Sequence, residues 1–154
     1  MPWHTPERKS EQALKLYLET VLGYEISGVQ VATRFSNVPL TEPRIEIVVE
    51  KCSPHPEDAQ YYTGSWTVSG TIKVVSHYET SVDAEAHDNI LGVILDNLII
   101  VDENGNDAAV SEINATQNEE AFTVQLFNLG ERTNDIEDHS LVSVQSFSML
   151  INVS

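Results

Sequence analysis

The sequence predicts a single α+β domain: a mainly antiparallel sheet with an N-terminal helix and one central helix packed on it, closed by a β-hairpin. Three observations predict it. Apolar residues recur at helical spacing over 13–22 and again over 87–98, they alternate with period two over 65–78, and the chain closes with two apolar-rich extended runs. At 154 residues the chain suits one core rather than two.

Thr5 followed by Pro6 reads as an N-cap and first helical position, and Ala13, Leu14, Tyr17, Leu18, Val21 and Leu22 form one stripe until Gly23 stops it. All six prolines lie in the first 56 residues. The stretch after the helix is therefore expected to be short strands between rigid turns, "VQVATRF" (29–35) and "RIEIVVEK" (44–51), with "CSPHPED" as a loop. In the second strand Ile45, Ile47 and Val49 face one way, and Arg44, Glu46 and Glu50 the other.

The clearest strand is "SWTVSGTIKVVSHY" (65–78), with Trp66, Val68, Ile72, Val74 and Tyr78 on one face and Ser65, Thr67, Ser69, Thr71, Lys73 and His77 on the other. Ser81 is placed to cap the next helix, Asp83 and Glu85 sit at its positive end, and His87, Ile90, Leu91, Ile94 and Leu98 form its inner stripe. "VDENGND" (101–107) then breaks the helix, and an acidic segment of unassigned structure fills 108–120. Two strands follow, "AFTVQLFNL" (121–129) and "LVSVQSFSMLINV" (141–153), joined by the polar loop "GERTNDIEDHS" (130–140).

The formal charge is −16, and it is uneven: residues 1–73 carry seven basic and nine acidic side chains, whereas residues 74–154 carry Arg132 against fifteen acids. Nucleic-acid and anionic-membrane binding need clustered Lys and Arg, so neither is expected. The start "MPWHTPERKS" lacks a signal-like apolar run, no stretch reaches membrane-span length, and Cys52 is the single cysteine. A soluble protein of a reducing compartment is the expectation.

Chemistry has one dense candidate. "SHYETSVDAEAHDNIL" (76–91) holds two histidines among four acids. Strand alternation, however, puts His77 on the face opposite the helix that carries His87, so a shared metal would need the register to break at Ser76. "DENGND" (102–107) departs from a calcium loop, with Asp107 at the glycine position and Ile113 at the bidentate glutamate position. Cys52 and His55 make half of a zinc spacing with no second pair. The expectation is no catalytic residue, no metal and no cofactor. A small metal-binding protein or enzyme using His77 and His87, and an acidic nucleic-acid mimic, are the competing readings from other classes.

The order of elements resembles the tail terminator, or tail-completion, proteins of long-tailed bacteriophages. The likeness lies in a capped N-terminal helix, a strand pair, a long strand with Trp66 near its start, the link Glu79–Thr80, a helix with Asp83 and Glu85 at its start, and a last strand "LVSVQSFSMLINV" near the end of the chain. It implies a virion protein without chemistry of its own, assembled in the host cytoplasm. Its implied form is a hexameric ring that caps the tail tube, ends its polymerisation and meets the head connector. The major tail tube protein and connector or completion proteins are the implied partners. DNA passes through unbound, and head-closure or adaptor proteins are the neighbouring reading.

The closing strands show apolar residues on both faces: Phe122, Val124 and Leu126 against Phe127 and Leu129, then Leu141, Phe147, Met149 and Ile151 against Val142, Val144 and Leu150. Such strands want cover on both sides. A neighbouring subunit supplies it in a ring, and the two helices supply it if they sandwich the sheet. Trp66, Phe127, Glu131, Arg132, Asp135 and Phe147 are the candidate subunit or partner contacts.

Overall fold

The computed structural model describes residues 5–25, 28–34, 40–54, 64–99, 108–117 and 122–153. In chain order these form α1 (Pro6–Glu25), β1 (Gln30–Thr33), β2 (Arg44–Pro54), β3 (Gly64–His77), α2 (Ser81–Leu98), α3 (Ala108–Gln117), β4 (Phe122–Glu137) and β5 (Ser140–Val153). The strands make one sheet in the order β1-β2-β3-β5-β4, antiparallel except for the β1/β2 pair. This is the expected α+β architecture with its closing hairpin.

Both long helices bury the stripes the sequence marks. In α1 Ala13, Leu14, Tyr17, Leu18 and Leu22 are buried, with Val21 packed beside them. In α2 the buried set is His87, Ile90, Leu91, Ile94 and Leu98. The Tyr17 hydroxyl donates to the Asn97 carbonyl (2.7 Å), tying α1 to the end of α2. Thr5 holds the N-cap position of α1 through its carbonyl, which accepts from Lys9 N–H (3.0 Å). Its hydroxyl has no hydrogen-bond partner among the described residues.

Three β-bulges shape the sheet, each adding one residue that the partner strand does not match. In β2 the register shifts between Val49 and Lys51, and here β3 supplies Gly70 opposite Val49. A Cβ on Gly70 would lie 2.0 Å from the Val48 carbonyl oxygen and 2.7 Å from the Val49 Cα. Only glycine lets the strands approach this closely. The backbone of Val49 is also held by side chains: its N–H donates to the Glu11 carboxylate (2.9 Å), and its carbonyl accepts from Arg34 (3.1 Å). Glu11 is 1% exposed, and Arg8 also donates to it. A buried carboxylate needs such partners, and charge-assisted bonds are the stronger kind.

The bulges of β4 correct the two-faced reading of that strand. The shift between Val124 and Leu126 reverses the facing of everything that follows, so Phe122, Val124, Phe127 and Leu129 pair with Val153, Ile151, Met149 and Phe147 and all face inward. The second shift, between Leu129 and Arg132, is fixed by Gln145, which donates to the Gly130 carbonyl (2.8 Å), and Ser146, which donates to the Glu131 carbonyl (2.9 Å). Residues 130–137 are strand, and the hairpin turns at Asp138 and His139, so the expected loop over 130–140 is replaced by a longer hairpin. Asp138 takes the positive φ (52°) that the tight turn requires.

Residues 108–117, unassigned from sequence, form α3. It lies against the outer edge of β4: Asn114 donates to the Val124 carbonyl and accepts its N–H (both 2.8 Å), and Gln117 donates to the Phe122 carbonyl (2.9 Å). Ile113 joins the core made by α1, α2 and one face of the sheet. All three helices therefore cover the same face, which rules out a sheet sandwiched between α1 and α2.

Candidate functional site: the corner between β3 and α2

The alternation of β3 persists to its end. Ser76 faces inward and is buried, whereas His77 is exposed on the opposite face and lies 3.3 Å from Glu79. The link then starts α2 with Thr80, not Ser81, as N-cap. The Asp83 carboxylate accepts from the N–H groups of Glu79 (2.9 Å) and Thr80 (3.0 Å), the returning half of a capping box. Those two backbone bonds hold its pKa below the ordinary aspartate value.

About one turn on from Asp83, His87 packs against the sheet. Its Nδ1 lies 2.8 Å from Ser76 Oγ, and its Nε2 lies 2.9 Å from Ser143 Oγ. Ser143 pairs with Val74 in the ladder, which puts it on the helix-covered face. Its hydroxyl donates to Asn134 Oδ1 (2.7 Å). A single ring thus joins α2 to β3 and β5, and through Ser143 to β4. Burial lowers the His87 pKa, partly offset by the nearby Asp88 charge.

A Ser–His contact invites comparison with a nucleophile and its base. A base of that kind needs a carboxylate orienting Nδ1 and an accessible hydroxyl at Nε2. Here Nδ1 meets the hydroxyl of Ser76, and Ser143 is 2% exposed with its proton engaged by Asn134. The arrangement is suited to holding elements together. His77 and His87 lie on opposite faces, and no group of three or more His, Cys, Asp or Glu able to hold a metal occurs among the described residues.

Cys52 follows the β2 bulge, pairs with Val68 and packs against the core. Burial, reinforced by the charge and hydrogen bond of Glu7, pushes its thiol pKa up to about 12. The sulfur stays protonated near neutrality, which suppresses thiolate chemistry. His55 and the segment 101–107 lie outside the described residues.

The six candidate contact residues separate into three groups. Phe127 and Phe147 are buried and stacked on each other (centroids 5.8 Å apart), so their side chains belong to this chain's own core and do not reach a partner. Trp66 is half-buried against that core. Glu131, Arg132 and Asp135 are exposed along the β4 arm of the hairpin. Their pattern was legible as polar, but the arm itself was not.

No protein-family model and no curated protein matches the chain.

The sheet face away from the helices carries Thr67, Ser69, Thr71, Lys73, Val144, Ser146, Ser148 and Leu150. At one end Thr67, Leu126, Asn128, Ser148 and Leu150 line a shallow depression of about 230 Å³. At the other, Arg44, Val75, Val142 and Asp135 form a row across four strands, and Glu42 accepts from the Ser140 hydroxyl (2.6 Å). Among the described residues no helix is long and apolar enough to cross a membrane.

Proposed function

We propose that this chain is a non-enzymatic assembly protein of the neck of a long-tailed bacteriophage. In this reading it is one subunit of a ring that caps the tail tube, ends its growth and offers a face to the head connector. The observation that carries it is the one-sided helix layer. A five-stranded sheet keeps one whole face and a long edge arm outside the helix layer, and a ring of copies uses repeated surfaces of that kind for heterologous contact. The exposed arm holds Glu131, Asp135, Glu137 and Asp138 against Arg132. Acidic surfaces repel the DNA backbone and let it slide. The order of elements resembles the terminator pattern with α3 added to it, and the reading asks no reaction of His87 or Cys52.

Light scattering on the purified protein tests it. Six copies of 17.1 kDa make a particle of about 103 kDa, which should appear as rings in negative stain and bind the ends of tail tubes. A strict monomer that ignores tail tubes overturns the proposal.

A further inference from the structure

The chemistry that this proposal leaves unused is the His87 joint. We propose that it is an acid-sensitive latch: protonation of His87 frees the first half of α2 from the sheet, while the apolar second half stays docked.

The hydrogen inventory fixes the resting state. Ser143 gives its proton to Asn134, so its oxygen is left to accept from His87 Nε2–H. Nδ1 is then the bare nitrogen, and it accepts the Ser76 hydroxyl. A second proton has to enter at Nδ1, where two donors would meet. Ser76, 5% exposed, must then turn its hydroxyl away from the ring.

Among the described residues β3 and β5 bring no carboxylate to the ring, and the charge that favours the cation is that of Asp88 on α2 itself. The facing groups are hydroxyls from β3 and β5 and, behind Ser143, an amide from β4. On the β4 arm Arg132 stands two positions from Asn134 with like charge. On α2 itself Asp88 is exposed, and Asp83 is engaged by the backbone of Glu79 and Thr80. His77 with Glu79, and His139 in the hairpin turn, are exposed to solvent. α1 meets α2 at the far end, through Tyr17 and Asn97.

The opening is local because of how α2 is anchored. Of residues 81–89, His87 alone is buried, and the apolar anchors begin at Ile90. Once its one anchor is charged, the first half has little to hold it, and segments of that kind open below the global unfolding free energy.

Hydrogen exchange on the intact protein, corrected for intrinsic rates, tests the latch at pH 7.5 and 5.5. An opened histidine with an ordinary pKa near 6.5 favours opening by up to about tenfold at the lower pH. The amides of 84–89 should lose protection by about that factor, while those of 94–98 and of β3 and β5 keep theirs. His87→Gln should abolish the pH dependence, and His77→Gln and His139→Gln should preserve it. Equal protection at both pH values, or unchanged pH dependence in His87→Gln, overturns the proposal. If His87→Gln does not fold, imidazole 15N spectra of the wild type decide. The latch requires the Nε2–H tautomer and a midpoint below the ordinary histidine value, and the opposite tautomer or a higher midpoint sinks it.

Discussion

Replacing Gly70 by alanine should be among the most damaging single-methyl changes in this protein. The added carbon would sit 2.0 Å from the Val48 carbonyl oxygen, 2.7 Å from the Val49 Cα and 2.9 Å from the Val48 carbonyl carbon. These are backbone atoms of a neighbouring strand, so no rotamer change relieves the clash. β2 and β3 must move apart by roughly 1 Å or more, and overpacking of this kind costs about 1–3 kcal/mol. The same movement draws Val49 N–H away from the buried Glu11 carboxylate, and a charge-assisted bond contributes about 1.5–3 kcal/mol. Together the loss is about 2.5–6 kcal/mol, a large part of a normal domain's stability. Urea unfolding followed by tryptophan fluorescence measures it, and the midpoint should fall by about 2 M for a slope near 2 kcal/mol/M. Gly92→Ala in α2 is the control: nothing lies within 4 Å of its added carbon, so it should gain about 0.5–1 kcal/mol of helix propensity. A Gly70→Ala protein within 0.5 kcal/mol of wild type would refute the close-approach argument.

Glu11→Ala should cost about 2–4 kcal/mol by removing the acceptor of Val49 N–H and one of the partners of Arg8, and thermal unfolding of a refolded sample would record it. Asp83 has a folded pKa below its unfolded value, so its stabilisation is complete above about pH 4 and is lost as pH falls through the folded value. The stability gap between wild type and Asp83→Asn should therefore close on acidification from pH 7 to 3, and a constant gap would contradict the capping role. Cys52 should react with iodoacetamide at pH 8 far more slowly than in urea, because its thiol is held protonated, and Glu7→Gln should speed it. Native labelling as fast as that of the unfolded chain would refute this.

The helices were legible because each packs one face against one sheet, and burial then follows the 3.6 period directly: His87, Ile90, Leu91, Ile94 and Leu98 are the buried set of α2. β4 was misread because alternation assumes an unbroken ladder. One extra residue at Gln125 exchanges inside for outside, and nothing in "AFTVQLFNL" announces it. The arm 130–137 reads as loop because its side chains are exposed and mostly polar, with Ile136 the exception, so no hydrophobic period marks it. α3 went unassigned because, besides burying Ala109 and Ile113, it presents amides to a strand edge, a task period analysis does not detect. At the candidate site the facing of His77 and His87 was legible from the strand period. Ser143 was not, because it comes from a strand 56 residues further along the chain.

The amides of Asn114 and Gln117 stand where the peptide groups of a sixth strand would stand. At this corner a helix impersonates a neighbouring strand, and lateral growth of the sheet is stopped by chemistry rather than by lack of room. A newcomer seeking the Val124 end of the edge must first evict an amide that satisfies both a donor and an acceptor, at about 1 kcal/mol for each bond exchanged. The same edge past Gln125 has no such plug among the described residues. The sheet's outer border is thus selective along its length, closed at one end and open to hydrogen-bonding partners at the other.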